Sequence, residues 1–276
     1  MKTIADIDWN EEAKAIAKER KNSRNPNELT GSAFWNMRAP AFAKHAVETG
    51  YAEAFIDIIK PDKNMTVLDI GCGGGTLAVP MANMVKEITA VDFSENMLGI
   101  VADKTAELGI NNVRRIQCSW TDDWAAAGIG KYDIAISSRS LSVDDMRAAL
   151  EKLNAAALKQ VFVSTIVGDG PHDRRIYETL GRKLIPAVDY IFVYNILYQM
   201  GIHGNVSFIT ENQVRTYDSY DEALASTRWM FQNMTPEEED KLAAFMKKHL
   251  IERKGKWSLD YAKSNKWAVI WWDKEP

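Results

Sequence analysis

The feature that most constrains this chain is the run MTVLDIGCGGGTL at 65–77, in which residues suited to a buried β-strand pass directly into Gly71, Gly73, Gly74 and Gly75. Glycine takes backbone angles that side chains exclude. It also lets a ligand approach main-chain N–H groups ahead of a helix, where unpaired donors favour an anionic group. The next β-rich run, EITAVD at 87–92, ends on Asp92, 19 residues past Gly73. A carboxylate placed there can accept hydrogen bonds from both hydroxyls of a ribose. Glycines alone describe a tight turn; strand, glycine loop, helix, second strand and terminal acid in this order describe a nucleotide site.

Two nucleotide chemistries share this frame. In a dinucleotide fingerprint G-x-G-x-x-G, counting from Gly71 puts Thr76 where the third glycine belongs. Asp69 stands two residues before the loop, where its charge repels a pyrophosphate but suits a ligand bearing an ammonium group. S-adenosylmethionine bears one. Bracing of the loop through backbone N–H groups is an equal reading of Asp69.

The rest of the chain supplies a matching α/β frame. β-rich runs at 65–70, 87–92, 112–117, 132–137 and 160–165 are separated by helical stretches, the pattern of right-handed crossovers into a parallel sheet. Helix starts are marked by Ser94, by Ser219 with Glu222, and by Thr235-Pro236-Glu237-Glu238. Residues 1–60 read as an N-terminal helical cap, 61–167 as the nucleotide-binding core, 168–204 as an inserted helical lid, and 205–276 as the last strands and helices of the core. NVSFIT at 205–210 reads as a strand, and 256–273 as an antiparallel edge pair. Trp271 and Trp272 would face opposite sides of such a strand, so one of them is expected at an oligomer contact such as a homodimer.

Composition excludes several classes. With 46% hydrophobic and 26% charged residues and only 8 prolines, the chain is globular rather than disordered. A net charge of -4 offers no general attraction for nucleic acid or an anionic membrane, and neither is expected as a partner. Cys72 and Cys118 form no C-x-x-C pair and the four histidines show no H-x-H or H-E-x-x-H spacing, so no metal is expected. Nothing reads as a signal peptide or a bilayer span, and a cytoplasmic location is the expectation.

Through VLDIGCGGGTLAVPMA, ITAVDFSENML, VRRIQCSW and KYDIAISSRSL, together spanning about residues 60–170, the sequence resembles the class I S-adenosylmethionine-dependent methyltransferases. The resemblance implies a Rossmann-like seven-stranded mixed sheet of order 3-2-1-4-5-7-6 with helices on both faces. S-adenosylmethionine, leaving as S-adenosylhomocysteine, would lie over the carboxyl ends of strands 1, 2 and 4. It implies that Gly71, Cys72, Gly73 and Gly75 approach the methionyl part with Asp69 close by, that Asp92 holds the ribose, and that Phe93 and Met97 flank the adenine. Many relatives carry an acid after strand 3; here Ser119 and the Trp120 backbone take that place. FWNMRAP at 34–40 looks like a segment that precedes the core in several small-molecule members, with Trp35 and Arg38 closing over the cofactor and Arg38 near the methionyl carboxylate. Ser137, Ser138, Arg139 and Ser140 follow strand 4, where the family lines the junction of cofactor and acceptor. An NPPY-type tetrad is absent there, which argues against adenine in DNA and glutamine in proteins as acceptors.

The expected activity is in-line methyl transfer to a small molecule, which requires alignment, desolvation and, for some nucleophiles, a base. His172, Asp173 and His203 are the candidates for that base, with Tyr190 or Tyr194 orienting the acceptor. The lid, together with 30–40, is expected to cover the acceptor. Tyr190, Tyr194 and Tyr198 share one helix face, for which ordinary core packing is the competing reading. Cys72 and Cys118 read as small buried residues, His45 and His249 as solvated, and Arg38 equally as a surface ion pair. Two rival functions stand beside methyl transfer: a binder of the same cofactor without turnover, and a nucleotide-dependent oxidoreductase, which Thr76 and Asp69 disfavour.

Overall fold

A computed structural model describes residues 3–23, 28–44, 50–211, 215–228 and 230–274. Three helices come first: α1 (Trp9–Asn22), α2 (Gly31–Lys44) and α3 (Tyr51–Ile59). An alternating stretch follows, with β1 (Thr66–Ile70), the short α4 (Ala78–Met81), β2 (Glu87–Asp92), α5 (Glu95–Glu107), β3 (Val113–Gln117), β4 (Tyr132–Ser138), α6 (Met146–Ala156) and β5 (Ala157–Ile166). The remainder is α7 (Arg174–Leu180), α8 (Tyr190–Gln199), β6 (Asn205–Glu211), α9 (Tyr220–Arg228), α10 (Pro236–His249), β7 (Leu250–Arg253), β8 (Lys256–Leu259) and β9 (Asn265–Asp273).

The helices begin where polar side chains can take up their first N–H groups. Ser94 Oγ accepts from Met97 N at 3.1 Å, and Thr235 and Glu238 close a reciprocal capping box behind Pro236. At Ser219 half of the expected box forms. Ser219 Oγ accepts from Glu222 N, but the Glu222 carboxylate turns back to Asp218 N.

Seven strands form one sheet in the order β3-β2-β1-β4-β5-β9-β6. Counted among its own strands β9 is the seventh, so this is the 3-2-1-4-5-7-6 order that the family resemblance implied. β1 to β5 pair in parallel, and β9 runs antiparallel to both of its neighbours, β5 and β6. The expected terminal edge pair is therefore corrected: β6 is the edge, β9 lies inside it, and β8 leaves the sheet to pair with β7. The reason is burial. Ala268, Val269 and Ile270 are completely covered on both faces, which an inner strand provides and an edge does not.

Alternation along the strands feeds two cores. Val67, Ile134, Phe162 and Val269 enter the layer formed with α3, α4 and α5, whereas Leu68, Ala135, Val161 and Ile270 enter the layer with α6, α8 and Ala13 of α1. Trp271 stacks on Phe162 in the first layer, with ring centroids 6.0 Å apart, and Trp272 donates to Asn154 in the second. Both rings thus pack within the chain, although the Trp271 indole N–H has no acceptor among the described residues.

A third core lies elsewhere. Ile176 and Leu180 of α7 pack with Ala223 of α9 and with Leu242, Phe245 and Met246 of α10. These elements leave from the carboxyl ends of β5 and β6 and return at the start of the antiparallel β9, so they sit beyond the carboxyl edge of the sheet. Residues 168–204 are accordingly divided. α7 joins this edge cap, while Val193, Ile196 and Leu197 of α8, fully buried, make α8 a layer of the sheet. Most of the cap comes from the stretch between β6 and β9, which the sequence reading had given to the core.

The N-terminal helices arch across the same edge. Asn10 of α1 bonds Asp145 and Arg147 at the start of α6, while Arg20 and Glu19 reach Ile185 O and Lys183. Leu29 pairs through its backbone with the Gln232 amide in the cap, and Asn36 of α2 accepts from Ser94 Oγ at 2.6 Å. The arc ends beside Asp92.

Candidate functional site

At the carboxyl ends of β1 and β2 the glycine loop turns back on the neighbouring strand. Gly71 N and Cys72 N both donate to Val91 O, at 2.7 and 2.9 Å, and Gly73 N donates to Asp92 Oδ2 at 2.9 Å. These N–H groups, expected to face a ligand, are consumed inside the protein. α4 has only four residues, so its N-terminus adds little. What the glycines supply is proximity. Gly71 has φ +71, and a Cβ there would collide with the Cβ of Ser140. Ser140 is itself fixed, its hydroxyl donating to Ile70 O and pairing with Ser137 Oγ at 2.8 Å.

Two carboxylates end these strands. Asp92 accepts one N–H on each oxygen, from Gly73 and from Ser94, so each oxygen keeps acceptor capacity. Burial raises its pKa, and the backbone N–H groups of Ser94, Gly73 and Phe93 counter that only in part. Asp69 is more extreme. It is 2% exposed, no group among the described residues donates to it, and burial followed by the charge of Asp92 pushes its pKa up to about 7. Among the described residues, then, Asp69 takes no backbone N–H and braces no part of the loop. A buried carboxylate without a donor is costly unless something absent from the protein completes it.

Other expected residues gather around this pair. Met97 is buried at the start of α5, and Phe93, half-buried, lies between Asp92 and the Ser94 cap. The Trp120 indole donates to Ser140 O at 3.1 Å and so bridges the loops after β3 and β4. Ser119 N donates to Asp122, an acid three residues along that the sequence reading overlooked although S-x-x-D is a turn signal. On α2, Trp35 is exposed and packs edge-on to Phe34, while Arg38 is half-buried with its pKa lowered to about 10, mainly by burial and then by Arg215. Cys72 is buried and its thiol pKa is raised by burial, which fits the small-residue reading.

On the acceptor side the expected residues scatter. Asp173 caps α7, binds Arg175 through both oxygens and accepts from Tyr261 OH at 2.9 Å. It is a structural clamp with no acceptor capacity to spare for a proton. His203 lies exposed ahead of the edge strand β6 against Tyr198, five strand spacings from Asp92's strand, or about 24 Å. Tyr190 packs on Phe208 of β6, and Tyr194 packs on the α8 layer. Tyr190 and Tyr194 are thus sheet packing, while Tyr198, on the same face, is exposed beside His203. His172 does remain at the carboxyl edge. Its Nδ1 pairs with Tyr177 OH at 2.9 Å, and burial, with Arg20 and Lys263, lowers its pKa to about 4. His249 packs on Phe245 and Tyr261 and pairs with Asp260 instead of standing in solvent, and His45 lies outside the described residues.

Sequence reasoning missed Tyr51. Its hydroxyl bonds Ser138 Oγ at 2.7 Å and Ser164 Oγ at 2.6 Å, tying together the ends of β4 and β5. Arg139 follows β4 with φ +56, its guanidinium 4.1 Å from the centre of the Tyr51 ring.

Comparison with known proteins gives a consistent picture. A family model described as a methyltransferase domain matches residues 67–160. An uncharacterized protein of Haemophilus influenzae is 32% identical over 242 residues, which cover 87% of this chain and 88% of that one. A ubiquinone biosynthesis O-methyltransferase of Caulobacter vibrioides is 36% identical over 77 residues, 28% of this chain and 30% of that enzyme. Phosphoethanolamine N-methyltransferase 2 of Haemonchus contortus, solved with phosphomonomethylethanolamine and S-adenosylhomocysteine, superimposes with a TM-score of 0.54 at 15% identity, covering 91% of this chain and 61% of that one. At that identity the likeness is one of fold.

Proposed function

As the chain belongs to the class I S-adenosylmethionine-dependent methyltransferase family, we propose that it binds S-adenosylmethionine at the ends of β1, β2 and β4 and transfers the methyl group to a small-molecule acceptor. The observation that carries this reading is Asp69, a buried carboxylate with no donor among the described residues, set at the end of β1 beside Asp92. The donor set fits the cofactor. Asp69 suits the ammonium, and the acceptor capacity left on each Asp92 oxygen suits the two ribose hydroxyls. Phe93, Met97 and the bridging Trp120 would border the adenine, and Arg38 from the arching α2 would meet the methionyl carboxylate. Ser137 would act indirectly, since it is buried and holds Ser140 against the glycine loop.

When bound, the sulfonium supplies an activated methyl group. The protein then needs chiefly to align the acceptor and exclude water, tasks suited to the edge cap and the α1–α2 arc. Where the nucleophile must lose a proton, His172 is the candidate that stays at this edge, held neutral at pH 7 and fixed through Nδ1 by Tyr177. Cys72 and Cys118, both free and buried, suit the reducing cytoplasm. Calorimetry should show S-adenosylhomocysteine binding and NAD binding far more weakly; the reverse order removes the assignment. Extract incubated with methyl-labelled cofactor should yield a labelled small molecule, and a protein that binds but labels nothing is the silent binder.

A further inference from the structure

Arginines elsewhere in this fold show how the chain treats a guanidinium that only stabilises structure. Arg182 grips Glu238 at 2.5 and 2.9 Å, Arg174 grips Asp169 at 2.7 and 3.1 Å, and Arg175 grips Asp173 at 3.0 and 3.2 Å. Arg139 is different. Its charge partner, Glu211, stays 3.7 Å away, beyond hydrogen-bond distance, and no acceptor among the described residues takes any of its guanidinium N–H groups. The residue is exposed at the surface, with its side chain 28% exposed, so a ligand can reach it. Its five donors, in a fixed fork and matched by no acceptor among the described residues, are therefore open to an incoming ligand.

The guanidinium is nonetheless held in place. It lies 4.1 Å from the centre of the Tyr51 ring and 5.3 Å from that of Trp267, and aromatic faces orient a guanidinium without consuming its N–H groups. Tyr51 is immobilised in turn by Ser138 and Ser164. The backbone is also committed. Arg139 has φ +56, unusual for a residue with a side chain, and its N–H donates to Ser164 O at 2.9 Å. Its neighbour Ser140 presses on Gly71, so the fork starts one residue from the glycine loop.

Resting on the methyl-transfer reading, we propose that Arg139 is the anion-recognition residue of the acceptor site, and that the acceptor is a small molecule bearing a carboxylate or phosphate group. Both present paired oxygens that match the fork. Glu211 balances the charge while the site is empty and makes no hydrogen bond that an incoming anion must break at the guanidinium.

The test uses benzoate and phenyl phosphate as probes and benzyl alcohol as the neutral control, titrated by calorimetry or saturation-transfer NMR with and without S-adenosylhomocysteine. The wild-type protein should prefer at least one anion over the alcohol by tenfold or more, and which one it prefers separates carboxylate from phosphate. Arg139→Gln should remove that preference while leaving S-adenosylhomocysteine affinity within twofold. Arg139→Lys, which keeps the charge and loses the fork, should fall between them, and Glu211→Gln should tighten anion binding severalfold. Equal binding of anions and alcohol, or an unchanged preference in Arg139→Gln, overturns the proposal, as does a neutral labelled product from extract. Failure to bind S-adenosylhomocysteine strikes the methyl-transfer reading instead, because the titrations without it still decide the role of Arg139.

Discussion

Asp69→Asn should make the ligand-free protein more stable at alkaline pH, the opposite of what removing a bonded carboxylate does. Asp69 titrates near 7 in the folded chain against 3.8 in a free carboxyl, because burial and Asp92 oppose its ionised form. A folded pKa raised above the unfolded one means that no penalty exists below the unfolded value. The penalty then grows as pH rises from about 4 to about 7 and is constant above. Three units correspond to about 4 kcal/mol in all, of which about 2.5 kcal/mol accrues between pH 5 and pH 8. Asp92, also raised by burial, adds a slope of the same sign, and His172 adds one of opposite sign on the acid side. The quantity to measure is therefore the difference between mutant and wild type in urea unfolding at several pH values. That difference should grow in the mutant's favour by about 2.5 kcal/mol from pH 5 to pH 8. S-adenosylhomocysteine should stabilise the wild type more at pH 8 than at pH 5, with proton release visible as a dependence of binding heat on buffer ionisation. Parallel profiles for the two proteins would show that Asp69 has a partner in solution and would remove the main support for an ammonium ligand.

Three further outcomes are expected. Asp92→Ala should weaken S-adenosylhomocysteine binding by about 1.5 to 3 kcal/mol through loss of two charge-assisted bonds, and unchanged calorimetric affinity in a folded mutant would take Asp92 out of the site. Gly71→Ala combines φ +71 with a collision at Ser140 and should cost about 2 to 3 kcal/mol in denaturant unfolding; Ser140→Gly in the same chain should restore part of it. His172 has a folded pKa of about 4 against 6.5 when free, so the stability it confers is complete above 6.5 and is lost as pH falls toward 4. That loss is about 3 kcal/mol, and His172→Gln should flatten the acid limb of the unfolding profile.

The nucleotide half of the fold was legible because its causes are local. Strand runs read at 87–92 and 205–210 match Glu87–Asp92 and Asn205–Glu211 closely, since β-branched residues, glycine turns and capping serines act over a few positions. The fate of 168–204 was not local. Whether Leu180 or Leu197 covers a sheet or joins a cap depends on α10, whose Leu242 and Met246 complete the cluster with α7 from more than sixty residues away. Apolar content showed that the segment must dock, without showing where. The place of β9 between β5 and β6 came from the family resemblance and not from local pattern: its strand character is local, but its position follows from both flanks offering pairing partners.

The candidate site divides along the same line, and the division explains which residues were found. Gly71, Asp69 and Asp92 stand in fixed register with one pair of parallel strands, so spacing in the sequence is spacing in the fold, and their placement could be read directly. The family resemblance puts Arg139 with three serines at the junction of cofactor and acceptor, without singling it out from them. Its distinguishing property is a negative one, a guanidinium that finds no acceptor among the described residues, and that becomes visible only when Tyr51, Glu211 and Trp267, drawn from α3, β6 and β9, are placed around it. His203 and Asp173 erred in the other direction. Both are polar residues in an apolar insertion, and a polar residue there is as well explained by a cap for α7 or a solvent-facing turn before β6. Residue type can nominate an acid or a base. Only the set of bonds already made decides whether it has capacity left for a substrate, and by that measure Asp173 is spent, whereas Asp69 and Arg139 are not.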